Sequence, residues 1–258
     1  MDTSDNVGQP FQAAGEGRFP APRPSDTPPP GETGKSPQPA AWKGCPTQKP
    51  SPLVSGFHSR DHLPHLKREG GSYFVTFRLA GSLPAAVLIE FKQEREQILA
   101  HALAAKRPLT WHEQEELFRW YCDRVDNYLD KGHGECWLRQ PAIAELVAGA
   151  LRFHEGVRCD LVAWVIMANH VHAVVRPRPG WTLSNILQSW KGYTGREANL
   201  LLRRTGREFW QRESFDHLVR DDEDIHRCCH YTTANPVNAG LCVRAEDWKW
   251  SSLYRPWS

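Results

Sequence analysis

The stretch MANHVHAVV, residues 167–175, sets two histidines, His170 and His172, two positions apart inside an apolar run. On a strand, alternate side chains point to opposite faces, so both imidazoles project to one side and Val171 to the other. Two imidazoles on one face are half of a metal site. A third donor must come from elsewhere, and the segment RDDEDIHRCCHYTTANP offers one. Read as a helix, it places Tyr231 and Asn235 on a shared face with Arg227 one turn earlier: a phenol, an amide and a guanidinium. The same helix carries His226 and His230, which with the histidine pair would make a zinc hydrolase, although without the carboxylate base that usually accompanies such a helical pair. Spacing alone brings neither set beside the histidine strand.

The elements that must do the positioning follow from periodicity. SYFVTFRL (72–79) is rich in aromatic and β-branched residues and reads as the first strand. SLPAAVLIEFKQEREQILAHALA (82–104) is expected to be a helix with Leu83, Val87, Phe91, Ile98 and Leu103 near one face. TWHEQEELFRWYCDRVDNYLDKG predicts a second helix, capped by Thr110 and striped by Leu117, Tyr121, Val125 and Tyr128. QPAIAELVAGALRFHEG predicts a third, burying Ile143, Leu146, Val147 and Leu151 and ending before Gly156. VRCDLVAWVIMANHVHAVVRP reads as two strands broken at Ala168-Asn169, in a tight hairpin or a bent strand. The histidine pair then opens the second strand at the rim of a sheet, where a ligand can reach a metal. TLSNILQSWKGYTGREANLLLRRTG predicts a long helix with Leu183, Ile186, Leu187, Trp190 and Leu201 inward. The last helix has an acidic first turn, turns Ile225, Cys229 and Thr232 toward the core, and is expected to end at Pro236.

Residues 1–55 are dense in Pro, Gly, Ser and Thr and are expected to be disordered, with one folded domain over 56–258. The net charge of +2 argues against a polybasic tail but leaves open a local basic patch. Such a patch is present in SWKGYTGREANLLLRRTGREFWQR, where Lys191, Arg196, Arg203, Arg204, Arg207 and Arg212 alternate with Trp190, Tyr193, Phe209 and Trp210. Cations can follow phosphates while aromatics stack on unpaired bases, and the same residues can equally form a solvated face over buried rings, with Trp190 in the core. HLKREGG adds Lys67 and Arg68. The seven cysteines contain no CxxC pair and read as reduced thiols. An apolar window of membrane-spanning length and the order of a signal peptide are both missing, so a cytoplasmic protein is expected.

Taken as an ordered set, HLPHLKREGGSYFVTFRL, AWVIMANHVHAVVRP, ILQSWKGYTGREAN, FWQRESFDHLVRDDEDIHRCCHYTTANPVNAGLC and DWKWSSL resemble the REP-associated tyrosine transposases, a bacterial group of the single-tyrosine HUH (IS200-like) transposases. The resemblance implies an α+β fold: a ferredoxin-like antiparallel sheet with flanking helices, the histidines on a central strand and the tyrosine helix alongside. It implies a divalent metal ion, Mg2+ or Mn2+, on His170, His172 and Asn235, with Tyr231 as nucleophile. Arg227, the metal or another basic group would help to deprotonate that phenol; Tyr193 is the rival nucleophile within the basic helix. The implied activity is cleavage and strand transfer of single-stranded DNA at repetitive palindromic hairpins through a 5′-phosphotyrosine, by a monomer or homodimer with no membrane partner. A non-cleaving hairpin-binding protein is the alternative. Two positions depart from the family pattern: Ala168, where Pro is common, and Thr232, where an aliphatic residue is common. About 80 residues between the first strand and the hairpin exceed what compact members need and form inserted helices without a readable chemical motif.

Overall fold

The computed structural model describes residues 56–60 and 63–255, and side chains from residue 68 onward. The Pro-rich segment 1–55 and the side chain of Lys67 lie outside the described residues. All described residues belong to Cys45–Ser258, one of the two units into which the chain divides.

A two-stranded antiparallel ribbon, β1 (Gly56–Arg60) with β2 (Leu63–Lys67), precedes the main sheet and has no counterpart in the periodicity reading. The sheet contains β3 (Tyr73–Arg78), β4 (Cys159–Ile166), β5 (His170–Pro177) and β6 (Phe215–Leu218) in the order β4-β5-β3-β6. All of its pairings are antiparallel. Helix α4 (Pro141–Phe153) precedes the β4-β5 hairpin, and α5 (Leu183–Leu201) joins β5 to β6. This strand order and these crossovers are ferredoxin-like, and the whole is an α+β fold.

Alternation along the strands sorts the side chains into two cores. Tyr73, Val75 and Phe77 of β3 and Val171, Ala173 and Val175 of β5 pack with Ile143, Val147 and Leu151 of α4 and with Ile186 and Trp190 of α5. Phe74 and Val174 turn to the opposite face. A bare two-layer ferredoxin fold would leave that second face to water. Here the insert and the last helix, α6 (Asp222–Asn238), cover it.

The insert comprises α1 (Ala85–Ala104), α2 (Trp111–Trp120), a π-helical stretch Tyr121–Asp126 and α3 (Asn127–Asp130). The expected second helix is therefore continuous in path but changes its winding midway. Its start is set as predicted: Thr110 accepts from the Glu113 amide while the Glu113 carboxylate accepts from the Thr110 amide, a capping box. Leu103 and Leu201, expected inward, are 58% exposed, because each sits in the final turn of its helix beyond the edge of the core. Pro236 does not end α6; losing one amide donor is tolerated, and the helix runs to Asn238. It stops where Gly240 adopts φ +70° and Leu241 N–H reaches back to the Pro236 carbonyl at 2.8 Å.

Candidate functional site

His170 and His172 open β5, on the second face. Cross-strand register sets their orientation, with Thr76 directly opposite His172. Thr76 Oγ1 lies 2.8 Å from His172 Nδ1, and Asn169 Oδ1 lies 2.7 Å from His170 Nδ1. An imidazole held at Nδ1 presents Nε2 outward, and the two Nε2 atoms stand 2.9 Å apart. The pair is not at an open rim: both residues are 0% exposed, because α6 and the insert cover them. Burial lowers His170 to about 3, and burial followed by the neighbouring His170 holds His172 far below its usual value. Both rings are thus neutral, the form that binds metals.

The turn before β5 is anchored to the insert. Asn169 is fully buried and donates from Nδ2 to the Leu129 carbonyl at 3.0 Å and to the His133 carbonyl at 3.3 Å. Its other amide atom, Oδ1, is the one that holds His170.

The insert also supplies two carboxylates. Asp126 Oδ2 lies 3.9 Å from His172 Nε2, and Asp130 Oδ1 lies 3.6 Å from His170 Nε2. The donor atoms of Asp126, His170 and His172 all lie within 4.8 Å of one another. Burial, then the charge of Asp130, pushes Asp126 well above the usual carboxylate range, and burial raises Asp130 to about 7. The reading of inserted helices without chemistry missed both residues. Their local signal was no more than an aspartate pair one turn apart in VDNYLD.

Tyr231 projects from α6 into the same place. Its ring centroid is 5.7 Å from both Phe74 and His172, and its hydroxyl donates to Asp126 Oδ2 at 2.9 Å. Burial and the adjacent carboxylate drive the phenol far above its usual pKa, so a phenolate forms there only when positive charge is brought in. Asn235, one turn further along α6, is buried, and its Oδ1 has no partner among the described residues. Asp126 Oδ1 and Asp130 Oδ1 are likewise buried without one. Two neutral imidazoles with the Asp126 carboxylate, their donor atoms within 4.8 Å of one another, are a donor set that fits a divalent cation.

The N-terminal half of α6 is fixed by charge. His217 Nε2 of β6 lies 3.0 Å from Asp224 Oδ2, and Arg227 pairs with Asp224 at 2.6 Å and with Glu115. Arg227 is therefore tied to carboxylates and to the Phe118 ring, while the phenol's partner is Asp126. His217, Asp224 and Cys228 also come close together, but Arg220 and Arg227 already neutralise Asp224. His226 and His230 are exposed on α6, which leaves the zinc-hydrolase arrangement without its helical pair. Tyr193 belongs to α5, the helix on the opposite face of the sheet from the histidines.

The predicted DNA contacts are scattered. Trp210 is a core residue, its Nε1 donating to Thr194 Oγ1 at 2.8 Å. The Lys191 ammonium is bound by the Gln211 and Arg212 carbonyls and by Ser214 Oγ, and burial lowers it to about 8. Arg204 lies over Trp137, and Arg196 pairs with Glu197. Arg68, Arg203, Arg207 and Arg212 are exposed. Arg68, Arg178, Trp181, Lys191 and Arg212 line a cavity of about 740 Å3 between the start of α5 and the residues before β6. Among the described residues, no helix is long and apolar enough to cross a membrane.

Against known families, residues 140–233 match the family described as "Transposase IS200 like". The matched segment contains His170, His172 and Tyr231 but neither the insert up to Asp130 nor Asn235. Over parts of its length the chain is similar to REP-associated tyrosine transposases. A Haemophilus influenzae protein named by inference as one of them is 41% identical over 46 residues, covering 18% of this chain and 26% of that one. The REP-associated tyrosine transposase of Escherichia coli is 24% identical over 97 residues, covering 37% of this chain and 55% of that one. The matches thus span about a quarter and about half of the lengths of these two relatives. A solved structure of a REP-associated tyrosine transposase bound to a REP hairpin aligns with 78% of this chain and 90% of that one, at TM-score 0.40 and 16% identity.

Proposed function

We propose that the protein is a metal-dependent endonuclease and strand transferase for single-stranded DNA, acting at repetitive palindromic hairpins through a 5′-phosphotyrosine on Tyr231. The observation that carries this reading is the meeting of the Tyr231 ring with His172, at 5.7 Å, with the ring of the second histidine 4.6 Å from that of His172. His170, His172 and Asn235 would hold a divalent ion, Mg2+ or Mn2+. When bound, such an ion polarises the scissile phosphate and stabilises the charge that develops on it.

The chain's own groups account for the rest. Asp126 Oδ2, already the acceptor of the phenol hydrogen bond, is positioned to take its proton. The Tyr231 oxygen then bonds to phosphorus, the bond from phosphorus to the 3′ oxygen breaks, and that oxygen leaves as a hydroxyl after gaining a proton. The 5′ phosphate remains on Tyr231. Because a phosphodiester is exchanged for a phosphodiester, the reverse attack by a 3′-hydroxyl rejoins DNA without an external energy source. Phe74 and Phe118 pack around Tyr231 and fix the ring against His172.

Hairpin oligonucleotides labelled at one end or the other test this. With Mn2+ present, a 3′ label is expected to move onto the protein and a 5′ label onto a shorter free strand. Hairpin binding with neither product would favour the non-cleaving binder.

A further inference from the structure

Resting on the metal-dependent reading, we propose that the insert supplies the acidic ligand of the metal centre: Asp126 joins His170 and His172, with Asp130 beside it. The IS200-like segment begins at residue 140, so this carboxylate comes from outside the matched domain.

Geometry carries the assignment. Asp126 and Asp130 sit at the end of the π-helical stretch and the end of α3. Each approaches a different histidine Nε2, at 3.9 Å and 3.6 Å. The π winding, which adds a residue per turn, is a recurrent device at functional sites, and here it ends at Asp126 itself. Leu129, between the two aspartates, accepts through its carbonyl from Asn169, so the turn that presents His170 and the helix that presents the carboxylates are one hydrogen-bonded unit.

Charge leads to the same place. Both Oδ1 atoms are buried without a partner, and the neighbours of these carboxylates are neutral imidazoles and a phenol. A buried oxygen without a hydrogen-bond partner is satisfied by a cation, and the unpaired Oδ1 of Asp130 is the atom nearest His170 Nε2, while Asp126 approaches His172 Nε2 through the Oδ2 that accepts from Tyr231. Adding a carboxylate to two imidazoles also shifts the donor set toward oxygen-preferring ions such as Mn2+. Asp126 has a second consequence: the carboxylate near His172 is also the one that holds the Tyr231 hydroxyl. One side chain therefore ties the nucleophile to the centre.

Titration of the intact protein with Mn2+, followed by electron paramagnetic resonance and calorimetry, tests the assignment without reference to activity. Asp126→Asn keeps the size of the side chain and an acceptor for the phenol, and is expected to weaken Mn2+ binding by at least about 10-fold. Asp130→Asn is expected to weaken it less, and His170→Ala to abolish it. Wild-type affinity in Asp126→Asn, together with loss in His170→Ala or Asn235→Ala, would overturn the role of the insert and leave the metal reading standing. Absence of Mn2+ binding by the wild type, or no effect of His170→Ala, would remove both. Should Asp126→Asn fail to fold, wild-type protein carrying aspartate labelled with 13C at the carboxyl gives the answer: a Mn–13C coupling supports the assignment, and its absence overturns it.

Discussion

The hydroxyl of Tyr231 donates to Oδ2 of Asp126 across 105 positions of sequence, at 2.9 Å. This bond joins the last helix to the insert directly over the histidine pair. Two elements that are remote in the chain, one inside the IS200-like segment and one before it, thus form a single site.

Asn169 is expected to set the metal affinity without touching the metal. Asn169→Ala removes the acceptor at His170 Nδ1 and frees the Leu129 carbonyl. Removing the outer partner of a ligating histidine typically costs about 10–100-fold in metal affinity. Calorimetric Mn2+ titration checks this, and unchanged affinity would mean that packing alone orients the ring.

Lys191 is expected to serve the fold. Its ammonium holds Gln211, Arg212 and Ser214 against α5, so Lys191→Met should lower stability by about 2 kcal/mol, the scale of hydrogen bonds to a charged group. Denaturant unfolding reads this directly. A variant that loses DNA binding at wild-type stability would instead make Lys191 a phosphate ligand.

The exposed Arg203, Arg207 and Arg212 are expected to supply salt-dependent affinity for single-stranded DNA. Replacing all three by Gln should weaken oligonucleotide binding and flatten the log–log salt slope by up to about 2, at roughly 0.7 for each phosphate no longer neutralised. An unchanged slope would place the DNA path elsewhere on the surface.

His154 gives a pH signature away from the site. Its Nε2 lies 2.8 Å from Ser189 Oγ, and burial, then Arg158, lowers it from 6.5 to about 4. The unfolded chain therefore binds the extra proton between pH 6.5 and 4. The stabilisation from the neutral ring is complete above pH 6.5 and lost as pH falls through about 4. The stability of His154→Gln, read by thermal unfolding, should fall less steeply over that window, by up to about 3 kcal/mol at about 1.4 kcal/mol per pKa unit. Parallel pH profiles would contradict the assignment.

Much of this arrangement was legible in the residues. Alternation placed His170 and His172 on one face, helical spacing placed Tyr231 and Asn235 on α6, and the resemblance supplied the ferredoxin-like order that periodicity could not. Burial of the histidines was not legible, because it depends on the insert folding back across the sheet, a long-range event with no local signature. The approach of Asp126 and Asp130 to the histidines was hidden for the same reason: in a helix, an aspartate pair one turn apart is ordinarily a solvated face. Leu201 and Pro236 misled through end effects, one lying past the core edge and the other being tolerated in the last turns.

The most direct measurement is peptide mass spectrometry of the protein after incubation with Mn2+ and a single-stranded palindromic hairpin. The account predicts a nucleotide adduct on the peptide containing Tyr231, abolished in Tyr231→Phe and in His170→Ala. An adduct on another tyrosine, or cleavage that persists in Tyr231→Phe, would contradict it.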